Sequence, residues 1–336
     1  MIEILIDAQV DEAALARLRS MPNLRIELVL PEEKVRLLPP ELIRTAEILF
    51  CTFPPENFAE MRAVRFIQIT SAGYSQLFDL DLVAKSVRAA NSRGCFDVPI
   101  AEWNIAMMIN LARNLRQMIR NQEKGVWDRA AAFQSEIRGS IVGIWGYGGI
   151  GRETARLARM MGMQVHALSR GGVHPSGDVY SVQGTGDAEA SLPNRVFVPG
   201  QELEFLSALD FLVVAVPLTR KTEGMIGERE LRALPGSAFL LNPARGPLIR
   251  EDALLRALRE NWIAGAAIDT HYYYPMPADH ALWQFPNVIF TPHISGSSLS
   301  PHYRERIWEI FTTNVERYRE GKPLLNELSA AQLHGE

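Results

Sequence analysis

The sequence lacks several features that would mark a specialised class of protein. It has only two cysteines in 336 residues, Cys51 and Cys95, and their spacing fits neither a disulfide framework nor a metal site. The net charge is −4 and no block of basic residues stands out, which argues against a nucleic acid or an anionic membrane as partner. The first residues carry Glu3 and Asp7 where a secretory signal needs positive charge, and AEWNIAMMINLARNL is too short to span a membrane. The length is typical of two domains, and 47% hydrophobic residues are enough to bury a sizeable core. Because neither a secretory signal nor a membrane span is indicated, we expect a soluble cytoplasmic protein.

Short apolar runs alternate with helical patterns along most of the chain. IEILI at 2–6 is typical of a strand, and DEAALARLRSM predicts a helix that begins at an aspartate cap. RIELVL, AEILF and RFIQIT predict further strands, and a long helical pattern covers about 101–122. The amphipathic stretch YRERIWEIFTTNVERYREG, which ends at Gly321, predicts the last helix. This order predicts an α/β fold with doubly wound parallel sheets covered by helices.

The segment from Gly171 to Gly200 interrupts the alternation. It is rich in Gly, Pro, Ser and Asp, and only RVFV within it favours a strand. A loop of this length inside a compact domain is more often functional or mobile than inert. We therefore predict a long loop that contains one short strand.

Three glycines form the pattern G-x-G-x-x-G between an apolar strand, SIVGIW, and a helix, RETARLARMMG. In this context Gly146 allows a tight turn, Gly148 lets the backbone approach a pyrophosphate, and Gly151 lets the helix and strand pack closely. The helix N-terminus adds free N–H groups and a partial positive charge for the phosphates. The alternative is a glycine turn without a ligand. Residue type, spacing and context together favour a dinucleotide site.

The second strand of this unit, MQVHAL, is not followed by the Asp or Glu that usually binds the ribose 2′-hydroxyl of NAD. Ser169 and Arg170 occupy the position instead. Ser169 would not repel a 2′-phosphate, and Arg170 could pair with it or lie on the adenine. We therefore predict NADP. The alternative is that Arg170 is a solvated loop residue and that NAD binds without the carboxylate.

Four segments resemble the D-isomer-specific 2-hydroxyacid dehydrogenases, especially the members that are like glyoxylate/hydroxypyruvate reductases. They are ITSAGYSQL, GIWGYGGIGRETARLARMMGMQV, LLNPARGPLIREDALLRAL and NVIFTPHISGSS. The resemblance implies a Rossmann dinucleotide-binding domain, 99–294, inserted in a flavodoxin-like substrate-binding domain made of 1–98 and 295–336. It also implies a homodimer formed through the helix from Ala101 and the cofactor domain. The loop 171–200 could then reach the partner subunit or the adenine.

The resemblance also implies roles for particular residues. Arg245 in NPARG would bind and orient the substrate carboxylate, and His293 in TPH would exchange the proton. Ala72 and Gly73 would offer backbone N–H groups to the substrate. Independently of the resemblance, Phe53 lies in a loop after a strand end and could add to a wall that the three consecutive tyrosines 272–274 form beside the substrate. Besides the glycines and Ser169-Arg170, the cofactor contacts would come from Gly149, Ile150, Val216, Pro217, Thr222, Asn242, Pro243, Ala244, Asp269 and Gly296.

Each assignment has a simpler alternative. Asp269, expected to hold the nicotinamide carboxamide, could merely cap a strand end, and Arg245 could form a surface ion pair. A single histidine after a proline, such as His293, is often a plain loop residue. The ordered occurrence of the motifs favours function. The sequence thus predicts an oxidoreductase that moves a hydride between NADP or NAD and a 2-oxo or 2-hydroxy acid, D-specific by resemblance, without a metal.

Tyr274 departs from the pattern that the resemblance implies. The loop in such enzymes is roughly DVFxxEP, and its glutamate hydrogen-bonds the catalytic histidine and raises the pKa of that histidine. A neutral phenol can orient His293 but cannot stabilise its charged form. We therefore predict a lower pKa for His293 than a glutamate would give, and reduction that favours lower pH. Alternatively, Tyr274 faces the substrate or covers an interface, and Asp279 or Glu309 could approach His293 in space.

Two other functions stay open, and Tyr274 motivates the first of them. The chain could be a non-catalytic dinucleotide sensor or scaffold that has lost one polar residue of an active site. It could also be an oxidoreductase for another small anion, such as an inorganic oxyanion or a one-carbon acid, bound by the same arginine and helix dipoles.

Overall fold

The computed structural model describes residues 1–130 and 134–335, and the chain divides into two compact units. Unit 1 comprises Met1–Phe96, Gly177–Val182 and Ser298–Glu336, and unit 2 comprises Asp97–Ser176 and Gln183–Ser297. Within the described ranges, no helix is both long and apolar enough to cross a membrane.

Twelve strands and ten α-helices are found in the described ranges. The strands are β1 (Ile2–Asp7), β2 (Leu24–Leu28), β3 (Ile48–Cys51), β4 (Phe66–Ile69), β5 (Arg88–Ala90), β6 (Ile141–Trp145), β7 (Gln164–Leu168), β8 (Arg195–Phe197), β9 (Phe211–Val214), β10 (Phe239–Asn242), β11 (Gly265–Ile268) and β12 (Val288–Phe290). The helices are α1 (Glu12–Ser20), α2 (Pro40–Ile43), α3 (Asp97–Ala112), α4 (Leu115–Glu123), α5 (Gly149–Met160), α6 (Glu202–Leu206), α7 (Glu228–Ala233), α8 (Glu251–Arg259), α9 (Pro301–Arg319) and α10 (Ala330–Leu333).

Unit 1 contains a five-stranded parallel sheet in the order β2-β1-β3-β4-β5. Successive residues of a strand point to opposite faces, and β1 shows this directly: Ile4 and Ile6 join one apolar cluster, whereas Leu5 joins the other. Apolar runs such as IEILI form these strands because both faces of the sheet are buried. The predicted aspartate cap of α1 is confirmed, since Asp11 accepts a hydrogen bond from the Ala14 N–H at 2.9 Å.

Unit 2 contains a seven-stranded parallel sheet in the order β12-β11-β10-β9-β6-β7-β8. From β6 the chain first builds toward β8 and then returns to β9 on the other side. The strand order therefore reverses between β6 and β9, the point at which such sheets bind ligands at their carboxyl ends. The predicted fold class, with two parallel-sheet α/β modules, is confirmed.

Two predicted helices differ from the structure. The single helix expected over about 101–122 is wrong, because α3 ends at Ala112 and α4 begins at Leu115. Asn114 adopts φ 47°, a left-handed conformation that asparagine tolerates and that interrupts helical hydrogen bonding. The helix that ends before Gly321 is α9, but the short α10 follows it. The strand expected in RVFV is confirmed as β8.

The segment 171–200 is anchored to unit 2 at its two ends. Arg152 of α5 donates hydrogen bonds to the carbonyls of His174 and Asp187. The hydroxyl of Tyr147, inside the glycine motif, donates to the Asp187 carboxylate at 2.7 Å. The loop is therefore tied to the turn on which the dinucleotide prediction rests.

The middle of the same segment, Gly177–Val182, belongs to unit 1. Asp178 forms an ion pair with Arg317 at 2.7 Å, and the Tyr180 hydroxyl donates to the Glu309 carboxylate at 2.8 Å. Glu309, considered above as a carboxylate for His293, thus has Tyr180 as its hydrogen-bond partner.

Candidate active site

The glycine motif forms the predicted turn between β6 and α5. Gly146 has φ 105°, and a Cβ there would lie 2.5 Å from the Ala215 carbonyl oxygen. At Gly151 a Cβ would lie 2.4 Å from the Gly146 carbonyl oxygen. Gly148 differs, because a Cβ there would meet no described atom within 4 Å. The outer glycines are thus required by the chain itself, whereas Gly148 faces open space that a ligand can enter.

The N-terminus of α5 can bind an anion. The helix begins at Gly149, and its N-cap residue, Gly148, makes no side-chain cap hydrogen bond. The first N–H groups of a helix, here including that of Ile150, have no acceptor within the helix itself. On its packed side, a Cβ at Gly149 would lie 1.9 Å from the Asp97 carboxylate, so glycine is needed there too. These features fit the pyrophosphate of a dinucleotide.

The end of β7 carries Ser169 and Arg170 beside this turn. Ser169 is held by its backbone N–H, which donates to the Phe197 carbonyl at 3.1 Å. Arg170 is exposed, and its side chain has no hydrogen-bond or ion-pair partner among the described residues. This guanidinium is available to a ligand at the carboxyl end of the second strand.

The loop after β9 is rigidly organised. The Thr222 hydroxyl donates to the Pro217 carbonyl at 2.7 Å and accepts from the Thr219 N–H at 2.8 Å. Val216 lies partly buried just before this loop and packs on the core. The loop follows a strand adjacent to β6, so it reaches the same edge of the sheet as the glycine turn.

Asn242 shapes the turn that presents Arg245. Its buried amide donates to the Arg245 carbonyl at 2.9 Å and accepts from the Ala244 N–H at 3.1 Å. Pro243 lies between them and is buried. The side-chain amide of Asn242 therefore fixes the NPAR turn from inside the chain.

Arg245 is a partly buried cation without a carboxylate partner in the described residues of unit 2. Its Nη1 donates to the Ala244 carbonyl at 2.7 Å, which uses one of its five N–H groups. Burial lowers the pKa of Arg245, and Tyr274 opposes that shift. A buried guanidinium with open donors is costly unless an anion completes it. The residue is thus suited to a substrate carboxylate.

Asp269 is fully buried at the end of β11, and its carboxylate holds the loop that carries His293. Oδ1 accepts from the Thr291 hydroxyl at 2.6 Å and from the Ile294 N–H at 2.9 Å. Oδ2 accepts from the N–H and the hydroxyl of Ser295. Gly296 follows in the same turn. The expected contact of Asp269 with the nicotinamide carboxamide stays a prediction, and the carboxylate has this additional structural role.

His293 adopts φ 58°, a left-handed conformation that is uncommon for histidine. The residue is exposed at the surface of unit 2, but partial burial of its ring lowers its pKa. The positive charge of Arg245 lowers the pKa further, and His271 acts in the same direction, while Asp269 opposes both. His293 and Arg245 are therefore within electrostatic reach of each other.

Tyr274 lies against His293, with the two ring centroids 5.6 Å apart and the planes tilted by 57°. Its hydroxyl oxygen accepts a hydrogen bond from the His271 backbone N–H at 3.2 Å. Among the described residues of unit 2, no carboxylate hydrogen-bonds the His293 ring, and Asp279 is exposed. The phenol thus contacts the histidine through its ring and supplies no negative charge of its own.

Strand order explains why three distant segments meet here. Arg245, Tyr274 and His293 follow β10, β11 and β12, which are neighbours in the sheet. The carboxyl ends of parallel neighbours share one edge, so the loops converge. His271 and Thr291 also belong to this cluster and were not predicted. The only sequence signal for His271 was an ionisable residue two positions after Asp269.

The other predicted substrate residues belong to unit 1. Phe53 follows β3, and Ala72 and Gly73 follow the adjacent β4, so they share a sheet edge. Asn91 donates to the Ala72 carbonyl at 2.6 Å, and the Ser71 hydroxyl donates to the Gly73 carbonyl at 2.7 Å. Their substrate contacts stay predictions.

Comparisons with known proteins agree with this geometry. A sequence model of the D-isomer specific 2-hydroxyacid dehydrogenase, NAD binding domain, matches residues 105–295. A glyoxylate reductase of Thermofilum pendens is 28% identical over 281 residues, covering 81% of this chain and 78% of that protein. A glycerate dehydrogenase of Methylorubrum extorquens is 28% identical over 304 residues, covering 87% of each chain. A solved structure of a D-isomer specific 2-hydroxyacid dehydrogenase family protein from Aeromonas salmonicida matches with a TM-score of 0.80 and 26% identity, covering 98% of this chain and 99% of that one.

Proposed function

Because this chain belongs to the D-isomer specific 2-hydroxyacid dehydrogenase family, we propose that it reduces a small 2-oxo acid with NADPH, using Arg245 and His293. It is an oxidoreductase of 2-hydroxy acids that uses NADP or NAD. The preference for NADPH, the direction of reaction and the residue roles are the proposed part. The observation that carries the proposal is the guanidinium of Arg245, which lies within electrostatic reach of His293 and has no carboxylate partner among the described residues of unit 2.

The substrate carboxylate pairs with Arg245. Its remaining N–H groups form a fork that matches a carboxylate bidentately. This contact orients the 2-oxo group and replaces the water that the buried guanidinium has lost. The nicotinamide supplies the hydride when it is bound.

His293 then supplies the proton. Its imidazolium donates to the carbonyl oxygen as that oxygen gains negative charge, and the neutral ring recovers a proton from water. The nearby positive charge of Arg245 favours proton release, in line with the lowered pKa of His293. Tyr274 contacts the ring without adding a negative charge that would stabilise the imidazolium.

The NADPH preference is supported by Ser169 and Arg170. The first adds no negative charge at the end of β7, and the second presents an exposed guanidinium without a partner among the described residues. A 2′-phosphate would pair with that guanidinium. The choice of NADPH over NADH therefore depends on the absence of one carboxylate and the presence of one arginine.

A homodimer is also proposed, with α4 as part of the contact. Leu115 and Ile119 on this helix are exposed, as are Val126 and Trp127 just after it. Apolar side chains grouped in this way are typical of protein interfaces. The molar mass in solution, measured by light scattering, tests the proposal. The cytoplasmic location stays a prediction.

The direct test is turnover of a panel of 2-oxo acids, including glyoxylate, hydroxypyruvate and bulkier acids, with NADPH and then NADH. We expect turnover with NADPH that falls by about a thousandfold in kcat/KM in Arg245→Ala, since an unpaired charge in such a site costs several kcal/mol. Arg259→Ala, an exposed arginine on α8, is the matched control and should keep wild-type activity. Cofactor binding without turnover of any acid would favour one of the other two functions, a non-catalytic dinucleotide sensor or scaffold or an oxidoreductase that acts on another small anion.

A further inference from the structure

We propose that His271 is a positioning residue of the acid–base site, whose ring holds the turn that carries His293 and whose backbone holds the phenol of Tyr274. The inference rests on the proposed function, because it assigns a role in the same reaction. Its contacts, however, are properties of the chain alone and can be tested without substrate.

The ring of His271 contacts the base of the His293 turn. Its Nε2 lies 2.7 Å from the carbonyl oxygen of Thr291. A carbonyl can only accept, so Nε2 carries the proton and donates. His271 is 5% exposed, which keeps water from competing for this bond.

The same carbonyl oxygen also binds His293. The backbone N–H of His293 donates to it at 3.0 Å and closes a three-residue turn around Pro292. Two histidines therefore share one acceptor, and the Thr291 oxygen is fixed from both sides. Because His293 has a left-handed φ of 58°, its direction depends on how firmly this turn is held.

His271 contacts Tyr274 through a different atom. Its backbone N–H donates to the phenol oxygen at 3.2 Å. That oxygen is then an acceptor toward the chain, so the phenol O–H can donate elsewhere in the site. One residue thus positions both groups that flank the reacting centre.

Packing fixes His271 itself. Its ring stacks on Phe290 with centroids 4.0 Å apart and planes 19° from parallel. On the backbone side, a Cβ at Gly246 would lie 2.5 Å from the His271 carbonyl carbon, so the loop that carries Arg245 presses directly on this residue. His271 therefore contacts the loops after β10 and β12 from its own loop after β11.

Burial favours a neutral His271. Burial lowers its pKa and the charge of His280 acts in the same direction, while the bond to Thr291 and the Asp269 carboxylate oppose them. Nδ1 is buried without a partner among the described residues, so a proton there would have no acceptor. A charged His271 would also make proton uptake by His293 harder, as would Arg245.

The test compares two substitutions, one of which keeps the aromatic ring of His271 and the other its hydrogen-bond donor. His271→Phe keeps an aromatic ring on Phe290 but loses the donor to Thr291. His271→Gln loses the ring but places an N–H donor near the position of Nε2. We expect kcat to fall by about tenfold in H271F with KM within threefold of wild type, because a displaced acid–base group slows chemistry more than binding. H271Q should stay within threefold of wild type in both constants.

A second readout does not need turnover. In protein with labelled histidines, the His293 ring resonance, assigned by its loss in His293→Gln, gives the pKa of His293 in each variant. We expect that pKa to rise in H271F, because a loosened turn exposes the ring to water, and to stay near the wild-type value in H271Q. If H271F does not fold, His271→Asn replaces it, since its shorter amide cannot reach the Thr291 carbonyl.

The outcomes separate the two proposals. If wild-type protein turns over no acid of the panel, the proposed function fails, and the His293 titration still decides the positioning role. Equal kcat in H271F and H271Q, or an unchanged His293 titration in H271F, would overturn the role of the His271 ring while leaving the dehydrogenase proposal intact.

Discussion

The glycine turn and the acid–base cluster lie at the carboxyl ends of strands in one sheet, yet they are built differently. The glycine turn, 146–151, is a single continuous segment whose proposed role depends on backbone geometry at the start of α5. The acid–base cluster combines Arg245, Tyr274 and His293 from three separate loops. A function that depends on backbone shape can be recognised from spacing alone. A function that depends on charge and position can be recognised only when it is known which side chains lie together.

The largest expected difference between the two regions is produced by a substitution at His293. We expect His293→Gln to lower kcat by about a thousandfold, because general acid catalysis is lost. The dissociation constant for NADPH, measured by fluorescence titration, should not change, since the glycine turn is intact. His302→Gln, an exposed histidine at the start of α9, serves as the control. A His293→Gln enzyme of near-normal kcat would assign the proton to another group.

Two alanine substitutions in the glycine turn separate its contribution to stability from its contribution to cofactor binding. Gly146→Ala should lower the free energy of unfolding by about 1–3 kcal/mol, because a side chain at φ 105° is strained and meets the Ala215 carbonyl. Gly148→Ala should leave stability unchanged, since a Cβ there meets no described atom within 4 Å, but should weaken NADPH binding by about tenfold. Thermal unfolding and NADPH titration measure the two effects. Unchanged NADPH affinity in Gly148→Ala would mean that the pyrophosphate lies elsewhere.

The preference for NADPH over NADH tests the proposed role of Ser169 at the end of β7. We expect Ser169→Asp to lower the NADPH preference, expressed as a ratio of kcat/KM values, by at least about tenfold, since opposing like charges costs more than about 1.4 kcal/mol. Ser169→Asn adds bulk without charge and should change the ratio little. Equal ratios in the two variants would show that no 2′-phosphate binds at this strand end.

The smallest expected effect is a pH shift at Tyr274. In the proposed mechanism reduction uses protonated His293, so the rate should fall as pH rises through the pKa of His293. Burial and Arg245 lower that pKa, so we expect the fall at a lower pH than an ordinary histidine would give. Tyr274→Glu adds a negative charge, which raises this pKa and moves the profile toward higher pH. Tyr274→Gln introduces a side chain of the same size as glutamate but without its charge, and it should not move the pH profile. Identical profiles for the two variants would remove Tyr274 from the acid–base pair.

Much of the fold followed from pattern because local forces dominate there. Apolar runs such as IEILI must be buried on both faces, which makes a parallel sheet, and Asp11 caps α1 through a contact three residues away. The break between α3 and α4 was missed because Asn114 interrupts a pattern that periodicity alone extends. For segment 171–200, composition indicated a long loop but could not indicate that Tyr147 and Arg152 tie it to the glycine turn.

The sequence by itself determined the dinucleotide turn and the class of fold, because these depend on residue type at fixed spacing, whereas the acid–base candidates Arg245 and His293 came from the resemblance of their motifs to a known family. Only the tertiary structure decided that Asp269 holds the His293 turn, that Thr291 is shared by His271 and His293, and that no described carboxylate of unit 2 hydrogen-bonds the His293 ring. The bonds from His271 to Thr291 and from Thr291 to Asp269 join residues 20 and 22 positions apart. They form because β11 and β12 are neighbours in the sheet, and strand order is a product of how the whole unit packs.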